Sequence, residues 1–124
     1  MKTFDLTKQY KIFEKDIKKR VLKVLSSGSY ILGENVKSFE NNVSRYLATR
    51  YTVSCNSGTD ALVMSLRALN IGQNDQVITS PFTYFATSEA ISLVGATPIF
   101  ADINPHTFNI NPKKIEKLIS KKTK

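Results

Sequence analysis

The stretch Tyr51-Thr52-Val53-Ser54-Cys55-Asn56-Ser57-Gly58-Thr59-Asp60-Ala61-Leu62 decides how the rest of this 124-residue chain is read. Its first five residues favour a pleated strand. Small polar residues and a glycine interrupt them, and helical spacing then runs through Ala61, Leu62, Ser65, Leu66 and Leu69. A strand passing through a glycine turn into a helix presents unpaired backbone N–H groups and the positive end of the helix dipole. Gly58 lets an anion approach the backbone, and the hydroxyls of Ser57 and Thr59 add donors, so a phosphate fits here. Equally, Ser57 or Thr59 is an ordinary helix cap. On spacing alone the two readings stand level.

Downstream, Asn70-Ile71-Gly72 stops the helix and Gln76–Thr79 reads as a second strand, ended by Ser80-Pro81. A helix from about Tyr84 to Leu93 is expected to bury Phe85, Ala86, Ala90 and Leu93, and Gly95 closes it. Thr97–Ala101 is a third strand, and Asp102, Asn104 and Pro105 turn the chain. Asn111 as cap and Pro112 at the first helical position open a last helix, with Ile115, Leu118 and Ile119 on its inner face.

Upstream, Tyr10, Phe13, Ile17, Val21 and Val24 recur at steps of three and four, on one face of a helix. Ser26–Ser29 break it, Tyr30–Gly33 read as a structured loop, and a second helix turns Val36, Phe39, Val43 and Leu47 inward. Strand and helix alternating three times is the grammar of a parallel α/β sheet. The expected organisation is one incomplete domain over residues 1–124: a helical segment, 1–50, and a βαβαβα part, 51–124. No closing strand is expected after the last helix.

The formal net charge of +8 raises the question of nucleic acid. Residues 1–37 hold nine Lys/Arg against four Asp/Glu and residues 113–124 hold six against one, whereas 38–112 hold three against five. The basic ends fall on amphipathic helices, where lysine is an ordinary solvated face, and no nucleic-acid motif accompanies them. Neither a nucleic-acid partner nor a membrane is expected. The single cysteine, Cys55, cannot form an internal disulfide, and no apolar run has the length of a membrane span, which suggests a cytoplasmic protein. Cys55 reads as a small buried side chain and His106 as an exposed turn residue. No cluster has metal-ligand spacing, so no metal is expected.

Longer strings carry a resemblance. Gly28-x-Tyr30-Ile31-x-Gly33-x-x-Val36-x-x-Phe39-Glu40, Asn56–Leu62, Pro81–Thr87, Gly95–Phe100 and Asp102-Ile103-x-Pro105-x-Thr107–Ile110 occur in one order. Together they resemble the DegT/DnrJ/EryC1/StrS family of sugar aminotransferases, from about Tyr10 to the last residue. The resemblance implies part of the large domain of the fold-type I transferases that use pyridoxal 5'-phosphate. It implies amino-group transfer from an amino acid such as glutamate to a nucleotide-linked keto-sugar, in a homodimer. Gly58, Thr59 and Asp60 match the positions whose backbone, with the threonine hydroxyl, holds the cofactor phosphate. Tyr84 matches the aromatic position stacked on the pyridine ring.

Two further groups that the family's chemistry needs are not matched. Transamination uses a lysine that holds the cofactor as a Schiff base and a carboxylate against the pyridine nitrogen. No lysine occurs between Lys37 and Lys113. No catalytic residue is therefore assigned, and the chain by itself is expected to be inactive. A dehydratase branch of the same family, a non-catalytic remnant acting through protein contacts, and a free-standing phosphate-binding module are the alternatives. Finally, the resemblance places the strand at 51–55 on one side of the sheet, with those at 76–79 and 97–101 paired on the other. The last two are therefore expected to pair in parallel and the first to sit apart or pair non-natively, leaving apolar faces open.

Overall fold

The computed structural model describes residues 4–124. The chain divides into two compact units, one ending at Ser54 and one running from Cys55 to Lys124.

The first unit is helical. Helix α1 spans Leu6–Ser27. The Asp5 side chain caps it by accepting from the Thr7 N–H at 2.9 Å, and the hydrogen bonds from the Thr7 hydroxyl and backbone hold its carboxyl below the usual range. At the other end Gly28 takes the left-handed conformation, φ 65°, which costs glycine nothing. The Tyr30 hydroxyl donates to the Leu25 carbonyl at 3.0 Å, which also accepts from the Gly28 N–H at 3.4 Å. The expected structured loop follows, and Gly33 is obligatory in it. A Cβ there would lie 2.8 Å from the Ser29 carbonyl oxygen. Helix α2, Glu34–Leu47, ends at Ala48, also left-handed.

From Tyr51 to Ser54 the residues alternate exposed and half-buried, the period of a strand, but they belong to no sheet. Their partner is α2. Glu40 Oε1 accepts from the Ser54 N–H at 2.8 Å and from its hydroxyl at 2.7 Å, and the Ser44 hydroxyl donates to Thr52 Oγ1 at 2.8 Å.

In the second unit, α3 spans Gly58–Ala68 and leads to strand β1, Gln76–Thr79. Helix α4, Ala86–Leu93, crosses to strand β2, Thr97–Phe100. The short α5, Pro112–Glu116, starts as the sequence predicts, with Asn111 accepting from the Lys113 N–H at 3.1 Å. β1 and β2 pair in parallel, Gln76 opposite Thr97 through Thr79 opposite Phe100. A parallel pair needs a crossover, and α4 supplies it. α4 packs on both strands, and α3 packs on α4.

The α/β reading therefore holds, with two of the three expected strands paired as anticipated and 51–55 apart from them. The Gln76 N–H donates to the Lys122 carbonyl at 2.8 Å and the Lys124 N–H to the Gln76 carbonyl at 3.0 Å, so Thr123 forms a single parallel bridge beside β1. The Ser120 hydroxyl, bonded to Gln76 Oε1 at 2.7 Å, holds that approach. β1 is thus paired with β2 and meets Thr123 in one isolated bridge.

The core is small: Ala86, Ala90, Ile91, Ala96 and Ala101. Several residues expected inside are outside. Phe85 and Leu93 of the α4 region are 72% and 57% exposed, and the residues of α4 that are buried are Ala86, Ala90 and Ile91. Phe39 and Leu47 of α2 are exposed while Val36 and Val43 are half-buried, and Ile119 lies past the end of α5 and is exposed. Cys55 is exposed as well, since no sheet forms around it.

Candidate anion-binding site at the start of α3

Ser57 caps α3 in extended conformation, φ −151° and ψ 160°. Its hydroxyl accepts from the Asp60 N–H at 3.1 Å and donates to Asp60 Oδ2 at 2.7 Å. Ser57 and Asp60 thereby form a reciprocal cap of the S-x-x-D kind. The Ala61 N–H is met by the Ser57 carbonyl at 3.1 Å. The cap reading is correct for Ser57, and it leaves the other half of the motif free.

Gly58 and Thr59 are the first two helical residues, so their N–H groups have no intrahelical acceptor. Among the described residues no other acceptor meets them, and the Thr59 hydroxyl makes no hydrogen bond. A Cβ on Gly58 would meet nothing within 4 Å. Two adjacent N–H donors, a free hydroxyl and the positive end of an 11-residue helix make a receptive edge for an oxyanion. The donor set fits a phosphate monoester. Cys55 Sγ is turned to the Ser57 carbonyl at 3.3 Å rather than to this edge.

Tyr84 lies just before α4, 82% exposed, with its carbonyl accepting from the Thr87 N–H at 3.1 Å. Thr59 and Tyr84 thus belong to the starts of two helices that pack together. No hydrogen bond joins Tyr84 to residues 56–60. Beside Tyr84, Phe82 stacks on Phe108 with ring centroids 5.7 Å apart and 29° between planes, tying the loop after β1 to the loop after β2. Neither the Phe82–Phe108 stack nor the Glu40–Ser54 pair is visible in the sequence. Each joins residues far apart in the chain, and periodicity carries no signal of such pairs.

Residues 11–124 match the DegT/DnrJ/EryC1/StrS aminotransferase family. The chain belongs to that family. It is 40% identical over 120 residues to the UDP-2-acetamido-2-deoxy-3-oxo-D-glucuronate aminotransferase of Pseudomonas aeruginosa, which covers 97% of this chain and 33% of that protein. It is 39% identical over 120 residues to the pleiotropic regulatory protein of Geobacillus stearothermophilus, 97% of this chain and 32% of that one. Among solved structures it is similar to S. venezuelae DesV, with a TM-score of 0.93 at 36% identity over 97% of this chain and 32% of that chain. The Bacillus subtilis NtdA structure with bound cofactor PMP gives a TM-score of 0.86 at 40% identity over 89% of this chain and 25% of the other. The chain spans about a third of the length of the curated relatives it matches. The family is one of pyridoxal-phosphate-dependent aminotransferases of sugar and polysaccharide biosynthesis. Among the described residues no helix is long and apolar enough to cross a membrane, and no three His, Cys, Asp or Glu side chains group as metal ligands.

Proposed function

We propose that this chain supplies the phosphate-gripping part of a pyridoxal-phosphate aminotransferase whose acceptor is a nucleotide-linked keto-sugar, with the lysine and ring carboxylate contributed by sequence outside it. The observation that carries the reading is the pair of unpartnered N–H groups on Gly58 and Thr59, beside the free Thr59 hydroxyl. Gly58 and Thr59 donate to the phosphate oxygens. Asp60 acts through the cap: its N–H and carboxylate fix the Ser57 hydroxyl and so hold the first turn in shape. Tyr84 offers an exposed aromatic face to the ring. When bound, the cofactor supplies the electron sink that amino-group transfer requires.

The chain by itself has a grip and no covalent attachment point at the site. Purified chain given pyridoxal phosphate, glutamate and a keto-sugar nucleotide should form no product above the free-cofactor background, while phosphorus NMR should detect weak phosphate binding that Thr59→Ala weakens further. Turnover dependent on one lysine of this chain contradicts the division of labour. Phosphate binding that is indifferent to Thr59 contradicts the assignment of the grip.

A further inference from the structure

Among the carboxylates of this chain, Glu40 has a distinctive use. It is half-buried, and one oxygen takes both donors of a residue 14 positions away, the Ser54 N–H at 2.8 Å and the Ser54 hydroxyl at 2.7 Å. One helical turn further on, Ser44 meets Thr52 at 2.8 Å. The spacing explains why two contacts coexist. Four helical residues rise about 6 Å, and two residues of strand-like chain span about 6.6 Å, so side chains at i and i+4 on α2 match alternate residues of 52–54 running the other way. The two rungs fix register as well as attachment. A slip by one residue would turn Thr52 and Ser54 outward and the exposed Tyr51 and Val53 inward.

Ser54 is followed by Cys55 and Asn56, and then by the cap residue Ser57. We propose that Glu40 is a positioning residue for the phosphate grip: by holding Ser54 in one register on α2 it fixes the chain that enters the Ser57–Asp60 turn. The phosphate part of this proposal rests on the function proposed above; the register part does not. The carboxylate suits the task because a charged acceptor binds an N–H and an O–H about twice as strongly as a neutral one, and a single oxygen has lone pairs for both.

The test compares Glu40→Leu, which keeps bulk and removes the acceptor, with Glu40→Gln, which keeps an acceptor oxygen. Amide hydrogen exchange is followed at Ser54, at Asp60 and Ala61, whose partners lie on Ser57, and at Ala101, bonded to the Thr79 carbonyl at 2.8 Å in the β1–β2 sheet. In Glu40→Leu, exchange should accelerate about 10-fold or more at Ser54 and by a few-fold at Asp60 and Ala61, with Ala101 unchanged. Inorganic phosphate affinity should fall by a similar few-fold factor, and Glu40→Gln should recover most of each effect. Retained protection of Ser54 in Glu40→Leu overturns the proposal. So does a freed Ser54 with Asp60, Ala61 and phosphate affinity unmoved, and so does a loss that Gln fails to rescue. If the unsubstituted chain binds no phosphate while Ser54 is protected, the anion-grip reading falls, and the exchange at Asp60 and Ala61 then decides the positioning role.

Discussion

α1 and α4 both carry apolar residues at steps of three and four, and they meet opposite surroundings. Along the 22 residues of α1, Tyr10, Phe13, Ile17 and Val21 remain between 39% and 51% exposed, and no residue is buried. Along the eight residues of α4, Ala86, Ala90 and Ile91 are buried, Ala90 completely. The shorter helix is the better packed because α3 and two strands pack against it. Amphipathic spacing makes a helix and says which face wants cover. It does not supply the cover.

The contrast sets the sizes of mutational effects. Ala90→Asp should be the most damaging change, because it places a charge with no partner in the core; a loss of more than about 3 kcal/mol is expected. The readout is collapse of amide protection at Ala101. Ile17→Asp on α1, equally drastic as chemistry, should stay within about 0.5 kcal/mol. Equal effects at the two sites would mean that α1 is covered in solution.

Two glycines sharpen the comparison at smaller scale. Gly33→Ala drives a Cβ against the Ser29 carbonyl oxygen and should cost about 1–3 kcal/mol of local stability, seen as faster exchange at Val36, whose N–H is bonded to the Gly33 carbonyl at 3.0 Å. Gly58→Ala meets open space and should leave stability nearly untouched while weakening phosphate binding. A Gly58→Ala chain that binds phosphate normally would remove glycine's role in the grip.

Removing a helix cap should be milder still. Asn111→Ala is expected to cost about 1 kcal/mol, measurable as lost protection of the Ile115 N–H that donates to the Asn111 carbonyl at 3.2 Å.

The smallest effect is on pH. Hydrogen bonds from the Ser54 backbone and then its side chain hold Glu40 below the usual carboxylate range. The folded value lies under the unfolded one, so the contribution is complete above the unfolded value of about 4.3 and is lost as pH falls through the lower folded value. Protection of the Ser54 amide, corrected for intrinsic exchange, should be flat from neutrality to about pH 5 and decline only in stronger acid. The basic side chains of α2 are paired elsewhere, Lys37 with Glu34 at 2.9 Å and Arg45 with Asn42 at 2.7 Å. A decline centred above pH 5 would show that another group controls the clamp.

Much of the fold is legible without coordinates. The strand at Gln76–Thr79, the Asn111–Pro112 helix start and the turn at Asn56–Thr59 all follow from local rules, because capping, proline's fixed φ and side-chain periodicity act over a few residues. Ser57 reads from the sequence equally as a cap and as a ligand, and only the structure shows its hydroxyl taken up by Asp60.

What only the tertiary structure decided is pairing. The strand-like residues 51–55 satisfy every local requirement for a strand and join no sheet, because a ladder needs a neighbouring backbone and α2 offered Glu40 and Ser44 instead. Phe85 and Leu93 lie in the same helical run as Ala86 and Ala90 yet stay exposed, and it is the packing of α3 and the two strands on α4 that decides which of them are covered. The sequence by itself determined where most of the helices and the two paired strands lie and which family the motifs resemble. Burial, register and the Glu40–Ser54 clamp depend on residues many positions apart, and for those the free energy lies in contacts that no local pattern encodes.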